Sequence, residues 1–359
     1  MLMYNSTLSA IRQFCDQMDS SPGYDYNCLS GTGPVAEFET MLANFYGKRH
    51  CLCVSSATSG LMYLQIAAGA VGSEIISTPL SYGGTIAGSL LLGNDIRFAD
   101  IEPDGLNIDP ESVEVILKKH RRKVKAVIAV DYAGIPHNDA CLAEVCRRYG
   151  VHYFCDSAQS LGAEHDGGKA GVHADAIVLS FGSGKTLYTG EGGAIVTDDE
   201  SLYRRLVMIC QHPNRQKRDC GLEMVSEFSL NGRMNPISAA VGRATFNEAV
   251  ERLRAHQHRM LGIYSDLQQC CPFRQGFDKG TIPSFFMNPM IVEDPDSFFK
   301  ASADYCSAND LEIERALVKL LPEQLLCSDH ARQMKAYAVP NAGRLKDILY
   351  LLKPVYSQS

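Results

Sequence analysis

The 359-residue chain predicts an α/β fold, a largely parallel sheet sandwiched by helices, followed by a smaller C-terminal α+β region. Two observations carry this. Between about Gly31 and Asp199, short, nearly continuous apolar runs alternate with amphipathic segments, the pattern of parallel strands buried on both faces by crossover helices. After Glu200 the texture becomes mainly helical, and the alternation stops. The boundary is placed at 245/246, with a large domain over 1–245 and a small one over 246–359.

The elements follow in order. VAEFETMLANFYG is a helix ending at Gly47, and HCLCVSS is a strand. In that strand Cys51 and Cys53 flank Leu52 and so face one side of it. GLMYLQIAAGA is the helix that follows. EIISTPLS, IRFADI, KAVIAVDY, HYFCDS and AIVLSF are further buried strands, with DPESVEVILKKH and NDACLAEVCRRYG as helices between them. GGAIVTDD is one more strand, entered through a glycine turn. SLYRRLVMICQH and the long segment from Pro236 to Cys270 are helical and amphipathic. Beyond them IPSFFMNPMIV is strand-like, while SFFKASADYCSAND and AGRLKDILYLLK are helical.

Bulk properties exclude several function classes. Net charge is −7, with acidic and basic residues interspersed, which argues against nucleic acid or an anionic membrane as partner. No apolar stretch approaches the roughly 20 residues that span a bilayer. The first residues lack a basic stretch followed by an apolar run, so a soluble, cytoplasmic protein is expected. The 13 cysteines are scattered, without the spaced pairs a zinc site requires. They read as small buried hydrophobes in a reducing compartment, and no metal site is expected.

The chemistry concentrates in LSFGSGKTLYTGEGGAIVT, residues 179–197. GSGKT resembles a nucleotide-triphosphate loop, but such a loop requires a glycine five residues before Gly184, where Leu179 stands. It also requires a helix beginning at the Lys-Thr pair. Here LYTGEGG follows, and each glycine costs about 1 kcal/mol in a helix. A lysine on a loop just after a strand instead suits covalent chemistry through its neutral amine. Pyridoxal phosphate would need that lysine, a carboxylate for its pyridine nitrogen, phosphate donors at a helix start, and a flat side chain against its ring. Candidates stand at strand exits, where open α/β sheets bind ligands. Asp156 ends HYFCD, SSATSG lies between a strand and a helix, Tyr82 follows STPLS, and Ser180 precedes Lys185 by five residues. Taken singly, each residue also has an ordinary structural reading: a solvated lysine, a capping aspartate, a half-buried tyrosine.

GPVAEFETMLANFYGKRH, SSATSGL, LSYGGTIAG, FADIEPDGLNID, DYAGIPHNDACLAEVCRRYGVHYFCDSAQSLGA, LSFGSGKTLYTGEGGAIVTDD and LNGRMNPISAAVG occur in this order. Together, over roughly residues 30–245, they resemble the DegT/StrS family of sugar aminotransferases, of fold type I among pyridoxal phosphate enzymes. The resemblance implies that Lys185 forms the internal aldimine and then shuttles a proton. It implies that Asp156 pairs with the pyridinium nitrogen, Gln159 bonds the phenolic oxygen, and Tyr82 stacks on the ring. Ala57, Thr58 and Ser180 would hold the phosphate. Asn231 would reach the neighbouring subunit's phosphate in a homodimer with shared sites. Glu191 is expected to be structural. The implied reaction is ping-pong transfer of an amino group, from glutamate, to a keto sugar carried on a nucleotide. A lysine at 185 favours transamination over the family's dehydratases, which carry histidine there. A cyclitol acceptor, an isomerase, a nucleotide triphosphatase and a non-catalytic binding or regulatory descendant stay open.

Three departures accompany the resemblance. Ala57 stands where the family usually has glycine. Gly182 and Gly184 replace bulkier residues and are expected to leave space or mobility beside Lys185. The C-terminal part matches weakly and lacks the usual His-Pro after LEIERALVKLLPEQ. The resemblance therefore speaks to cofactor chemistry more than to substrate.

Overall fold

The computed structural model describes residues 2–20, 28–222, 228–336 and 338–354. Its strands in the first half are β1 (His50–Val54), β2 (Glu74–Ser77), β3 (Asp95–Phe98), β4 (Val124–Val130) and β5 (His152–Asp156). The two-residue strands β6 (Glu164–His165) and β7 (Gly168–Lys169) precede β8 (Ala176–Ser180) and β9 (Gly193–Thr197). Later come β10 (Thr281–Ile282), β11 (Pro289–Ile291), β12 (Leu311–Arg315), β13 (Met334–Ala336) and β14 (Leu349–Pro354). The helices are α1 (Leu2–Ser20), α2 (Pro34–Tyr46), α3 (Ala57–Ala67), α4 (Gly84–Leu91), α5 (Pro110–His120), α6 (Asp139–Tyr149), α7 (Glu200–Cys210) and α8 (Pro213–Cys220). The chain continues with α9 (Pro236–Cys270), α10 (Pro295–Ala308), α11 (Leu321–Leu326) and α12 (Pro340–Ile348).

The principal sheet has eight strands in the order β1-β9-β8-β5-β4-β2-β3-β13. Strand β9 is antiparallel to both its neighbours, and every other pairing is parallel. Seven strands therefore point one way, and their carboxyl ends share one edge. The helices form because their ends are specified. Gly47 and Gly150 adopt left-handed φ values of 63° and 64° and terminate α2 and α6. Asp109, Asn138, Asp199 and Asn235 cap α5, α6, α7 and α9 through their side chains.

Alternation along the strands separates two cores. Leu52 and Val54 pack with Phe154, Val178 and Ile195 under α3 and α7, joined by Leu64 and Leu206. Cys51 and Cys53 face the other way, among Phe38 and Leu42 of α2 and Phe246 of α9. The two cysteines thus share one face, as the period-two pattern requires. On that same side Val127, Ala129, Tyr153 and Cys155 pack beneath α5 and α6. A buried ion pair ties α8 to α2: Arg215 meets both oxygens of Glu39 at 2.9 and 2.8 Å, and Glu39 also accepts the Cys53 amide at 2.7 Å.

The C-terminal region builds its own antiparallel sheet, β11-β14-β12. It also returns a strand, β13, to the principal sheet beside β3. Helix α9 runs unbroken for 35 residues across the expected 245/246 boundary. The helical reading of AGRLKDILYLLK holds for its first part alone. Residues 349–354 leave the helix as β14, because strands on both sides offer them hydrogen-bonding partners, and pairing overrides the helix propensity of leucine. Helix α1 is not among the elements expected from the sequence. Among the described residues no helix is long and apolar enough to cross a membrane.

Candidate functional site

Every predicted site residue except Asn231 lies at or just beyond the carboxyl ends of β1, β2, β5 and β8, on the shared edge of the sheet. At the exit of β1, Ser56 caps α3. Its hydroxyl accepts the Ser59 amide at 3.1 Å, and its carbonyl accepts the Gly60 amide. The amides of Ala57 and Thr58 find no acceptor among the described residues, so they are the donors such a helix start offers an anion. Gly193 is paired with Val54 on one side and Ser180 on the other, which brings Ser180 alongside that helix start. A Cβ on Gly193 would lie 2.6 Å from the Ala57 nitrogen. Only glycine permits so close an approach. Gly84 plays the same part beside Thr58, because a Cβ there would lie 2.7 Å from the Thr58 hydroxyl and 3.1 Å from the Tyr82 ring. The Tyr82 ring itself is 80% exposed and presents a free face to the open edge.

Asp156 is buried at the end of β5. Burial raises its pKa, partly offset by the Thr85 hydroxyl, which donates at 2.8 Å, and by the Ala158 amide at 3.2 Å. Thr85 in turn lies 2.6 Å from the Ser81 hydroxyl. A buried carboxylate with a raised pKa is short of a cationic partner. Lys185 is near enough for its charge to act on Asp156, yet its amine forms no ion pair among the described residues. The amine instead sits 4.4 Å above the Phe286 ring. Burial lowers its pKa, and Asp156 opposes that shift. Gln159 is oriented by the Ala133 amide, which donates to its Oε1 at 2.8 Å and leaves the side-chain NH₂ as a free donor group.

The glycine-rich stretch is a turn. The Lys185 amide donates to Gly182 O at 3.2 Å, Gly184 takes φ 76°, and no helix starts at Thr186. The geometry that a nucleotide-triphosphate loop needs is absent. The expected space is present at Gly184, where a methyl group would meet nothing within 4 Å, although its φ alone already calls for glycine. At Gly182 a methyl would meet Glu191 at 3.4 Å, an ordinary contact. Asn231 stays exposed, beside Gly232, whose carbonyl accepts the Ser55 amide. The bridge between the next residue, Arg233, and Val54 also brings the Asn231 segment to the exit of β1.

Residues 27–298 match the model of the DegT/DnrJ/EryC1/StrS aminotransferase family. The chain belongs to that family. Over 214 residues it is 32% identical to the UDP-4-amino-4,6-dideoxy-N-acetyl-beta-L-altrosamine transaminase of Campylobacter jejuni, a match covering 60% of this chain and 56% of that protein. The chain thus spans little more than half the length of that relative. Its fold superposes on a DegT/DnrJ/EryC1/StrS aminotransferase from Brucella abortus, with a TM-score of 0.78, 21% identity, and 98% and 90% of the two chains covered. It also superposes on the E. coli GDP-4-keto-6-deoxy-D-mannose-3-dehydratase with bound hydrated PLP, at a TM-score of 0.75, 20% identity, and 97% and 92% coverage.

Within this DegT-family frame, Thr85 and Phe286 join the site although the sequence did not point to them. Thr85 lies in LSYGGTIAG, but a lone threonine gives no sign that it will meet Asp156 from another strand. Phe286 comes from the C-terminal region, more than a hundred residues on. Its loop docks through Ser284, whose hydroxyl donates to Gln159 O at 2.6 Å and whose amide donates to Gly134 O. Gly134 makes room, because a Cβ there would overlap the Ser284 hydroxyl.

Proposed function

We propose that the chain is a pyridoxal phosphate-dependent aminotransferase that moves an amino group, in a ping-pong cycle, from an amino acid such as glutamate to a keto sugar carried on a nucleotide. The residues present fit the cofactor. Two unpaired amides at the α3 start and the Ser180 hydroxyl suit its phosphate. Buried Asp156 forms no ion pair among the described residues, and a protonated ring nitrogen would supply one. Tyr82 offers a ring face and Gln159 a free amide donor. When bound, the cofactor supplies an electron sink and a carrier for the amino group.

The chain's own residues do the rest. Asp156, held by Thr85 and Ala158, keeps its charge aimed at one point. Lys185, with an amine that burial makes easier to deprotonate, serves as nucleophile and then carries a proton at Nζ. Phe286 covers that amine and keeps water from one side of it. The single observation that supports the reading most is the pairing of a desolvated, unpaired lysine amine with a buried carboxylate on one sheet edge.

The keto-sugar acceptor is supported by the transaminase from Campylobacter jejuni. A homodimer with Asn231 reaching the partner's phosphate site is part of the proposal. It is supported by the exposed apolar residues Leu230 and Ile237, which flank Asn231 in sequence. The test is a half-reaction. Cofactor-loaded protein mixed with glutamate, without acceptor, should release 2-oxoglutarate in a single burst equal to the sites present. A screen of nucleotide-linked keto sugars should then restore turnover. No burst with any amino acid would overturn the aminotransferase reading.

A further inference from the structure

We propose that Asp131 is the positioning residue for the turn Asp156–Ser160, its carboxylate bonded to the turn through one oxygen and to His137 through the other. The proposal rests on the cofactor reading above, because that turn carries Asp156 and Gln159. Asp131 follows β4, and its side chain is fully buried. Its Oδ2 accepts the hydroxyls of Ser157 at 3.0 Å and Ser160 at 2.5 Å, and the Cys155 thiol at 3.5 Å. Its own amide donates to Asp156 O at 3.3 Å. One carboxylate oxygen thus binds the turn on both sides of Gln159's neighbourhood, and the Asp131 backbone binds the residue that ends the strand. Register between two parallel strands alone would leave Ser160 without this acceptor, Ser157 with only the Cys155 sulfur at 3.2 Å, and the turn free to roll.

The other oxygen explains why the charge persists. Oδ1 accepts the His137 ring Nδ1 at 2.6 Å and the His137 amide at 3.1 Å. Burial opposes charge on Asp131, but the His137 cation and these bonds outweigh it and hold the pKa below the ordinary value. Burial likewise opposes charge on His137, and Asp131 outweighs it, with Asp139 and Glu102 adding to the effect. The far side of the imidazole is engaged too. Nε2 meets the Tyr153 hydroxyl, which donates to Asp139 at 2.6 Å, and Asp139 accepts the His173 amide at 2.8 Å. Asp131, His137 and Cys155 offer donor atoms within 4.8 Å of one another. Both imidazole nitrogens are already in use, so the cluster is an ion-paired brace. The groups facing it are Cys155, Asp156, Tyr153, Asp139 and Glu102.

An asparagine at 131 keeps the shape but turns one acceptor oxygen into a donor, which the two serines and the thiol cannot all satisfy. The test titrates pyridoxal phosphate onto the apo-protein by visible absorbance and follows the pH midpoint of the band. Three proteins are compared: wild type, Asp131→Asn, and the milder Ser157→Ala/Ser160→Ala double variant. Far-UV circular dichroism reports folding for each. Expected is an affinity loss of about tenfold in both variants, the scale of one or two lost bonds to a charged acceptor, together with a shifted midpoint. Folded variants whose band, midpoint and affinity match wild type overturn the proposal. A fall in melting temperature with an unmoved midpoint overturns it as well, because that is a structural role alone. A wild-type protein that develops no visible band overturns the cofactor reading itself, and is thereby told apart from failure of the brace.

Discussion

Gly193→Ala should damage phosphate recognition specifically. A methyl at 193 would lie 2.6 Å from both the Ala57 nitrogen and the Ser56 carbonyl carbon, and 2.9 Å from Leu179 O. All three are backbone atoms that cannot rotate aside. Reaching the 3.4 Å of ordinary contact requires a shift of 3.4 − 2.6 = 0.8 Å. The part able to yield is the first turn of α3, because β9 is fixed by pairing on both sides. A retreat of that size misaligns the Ala57 and Thr58 amides. Losing one hydrogen bond to a charged acceptor costs about 1.5–3 kcal/mol, or roughly 10- to 100-fold in affinity. Overpacking adds a stability loss of about 1–3 kcal/mol. The assay titrates apo-protein with pyridoxal phosphate and, separately, with pyridoxal. The variant should lose affinity for the phosphorylated form while binding pyridoxal as wild type does. Equal losses for both, or no loss with a lowered melting temperature, would refute the assignment of the α3 start as the phosphate cradle.

Thr85→Val removes the donor to Asp156 Oδ2 and should raise the Asp156 pKa further. An unsatisfied buried oxygen costs about 1–3 kcal/mol, readable as weaker cofactor binding whose pH optimum for the charged carboxylate moves upward. Lys185→Met should abolish the visible band yet raise the melting temperature of the apo-protein near neutral pH. The folded-state pKa of Lys185 is lowered, so its charge is a burden wherever the unfolded chain still holds the proton, and removing it relieves the fold. Glu39→Gln removes one of the two carboxylates that Arg215 meets, leaving Asp219 at 2.9 Å, and should cost about 1–3 kcal/mol by chemical denaturation. The Asp131–His137 pair predicts a pH slope. His137 has a raised pKa, so its contribution is complete below the ordinary value of 6.5 and is lost as pH rises through the folded-state value. Asp131 has a lowered pKa, so its contribution is complete above 3.8 and is lost on acidification through its folded-state value. Wild-type melting temperature should fall more steeply than that of Asp131→Asn as pH rises from 6.5.

What the sequence revealed was local. Strand alternation placed Cys51 and Cys53 on one face, Gly47 set the end of α2, and strand exits located Lys185, Asp156, Tyr82 and the SSATSG turn. Contacts between distant segments were not legible. Thr85 reaches Asp156 across 71 positions, Ser284 reaches Gln159 across 125, and Asp131 gathers Ser157 and Ser160 across 26 and 29. No periodicity encodes which of many hydroxyls will meet which carboxylate. KAVIAVD did show an aspartate at a strand end, but not that its partner would be His137, six residues on. Residues 349–354 misled because leucine-rich sequence suits helix and strand alike, and neighbouring strands decide between them.

The central claim is that the Lys185 amine is the covalent anchor of the chemistry. Apo-protein incubated with pyridoxal phosphate, reduced with borohydride, digested and read by mass spectrometry tests it most directly. The account predicts a single phosphopyridoxyl addition on the peptide containing Lys185, absent in Lys185→Met. An unmodified Lys185 peptide, or label spread over exposed lysines to the same extent in both proteins, would contradict it.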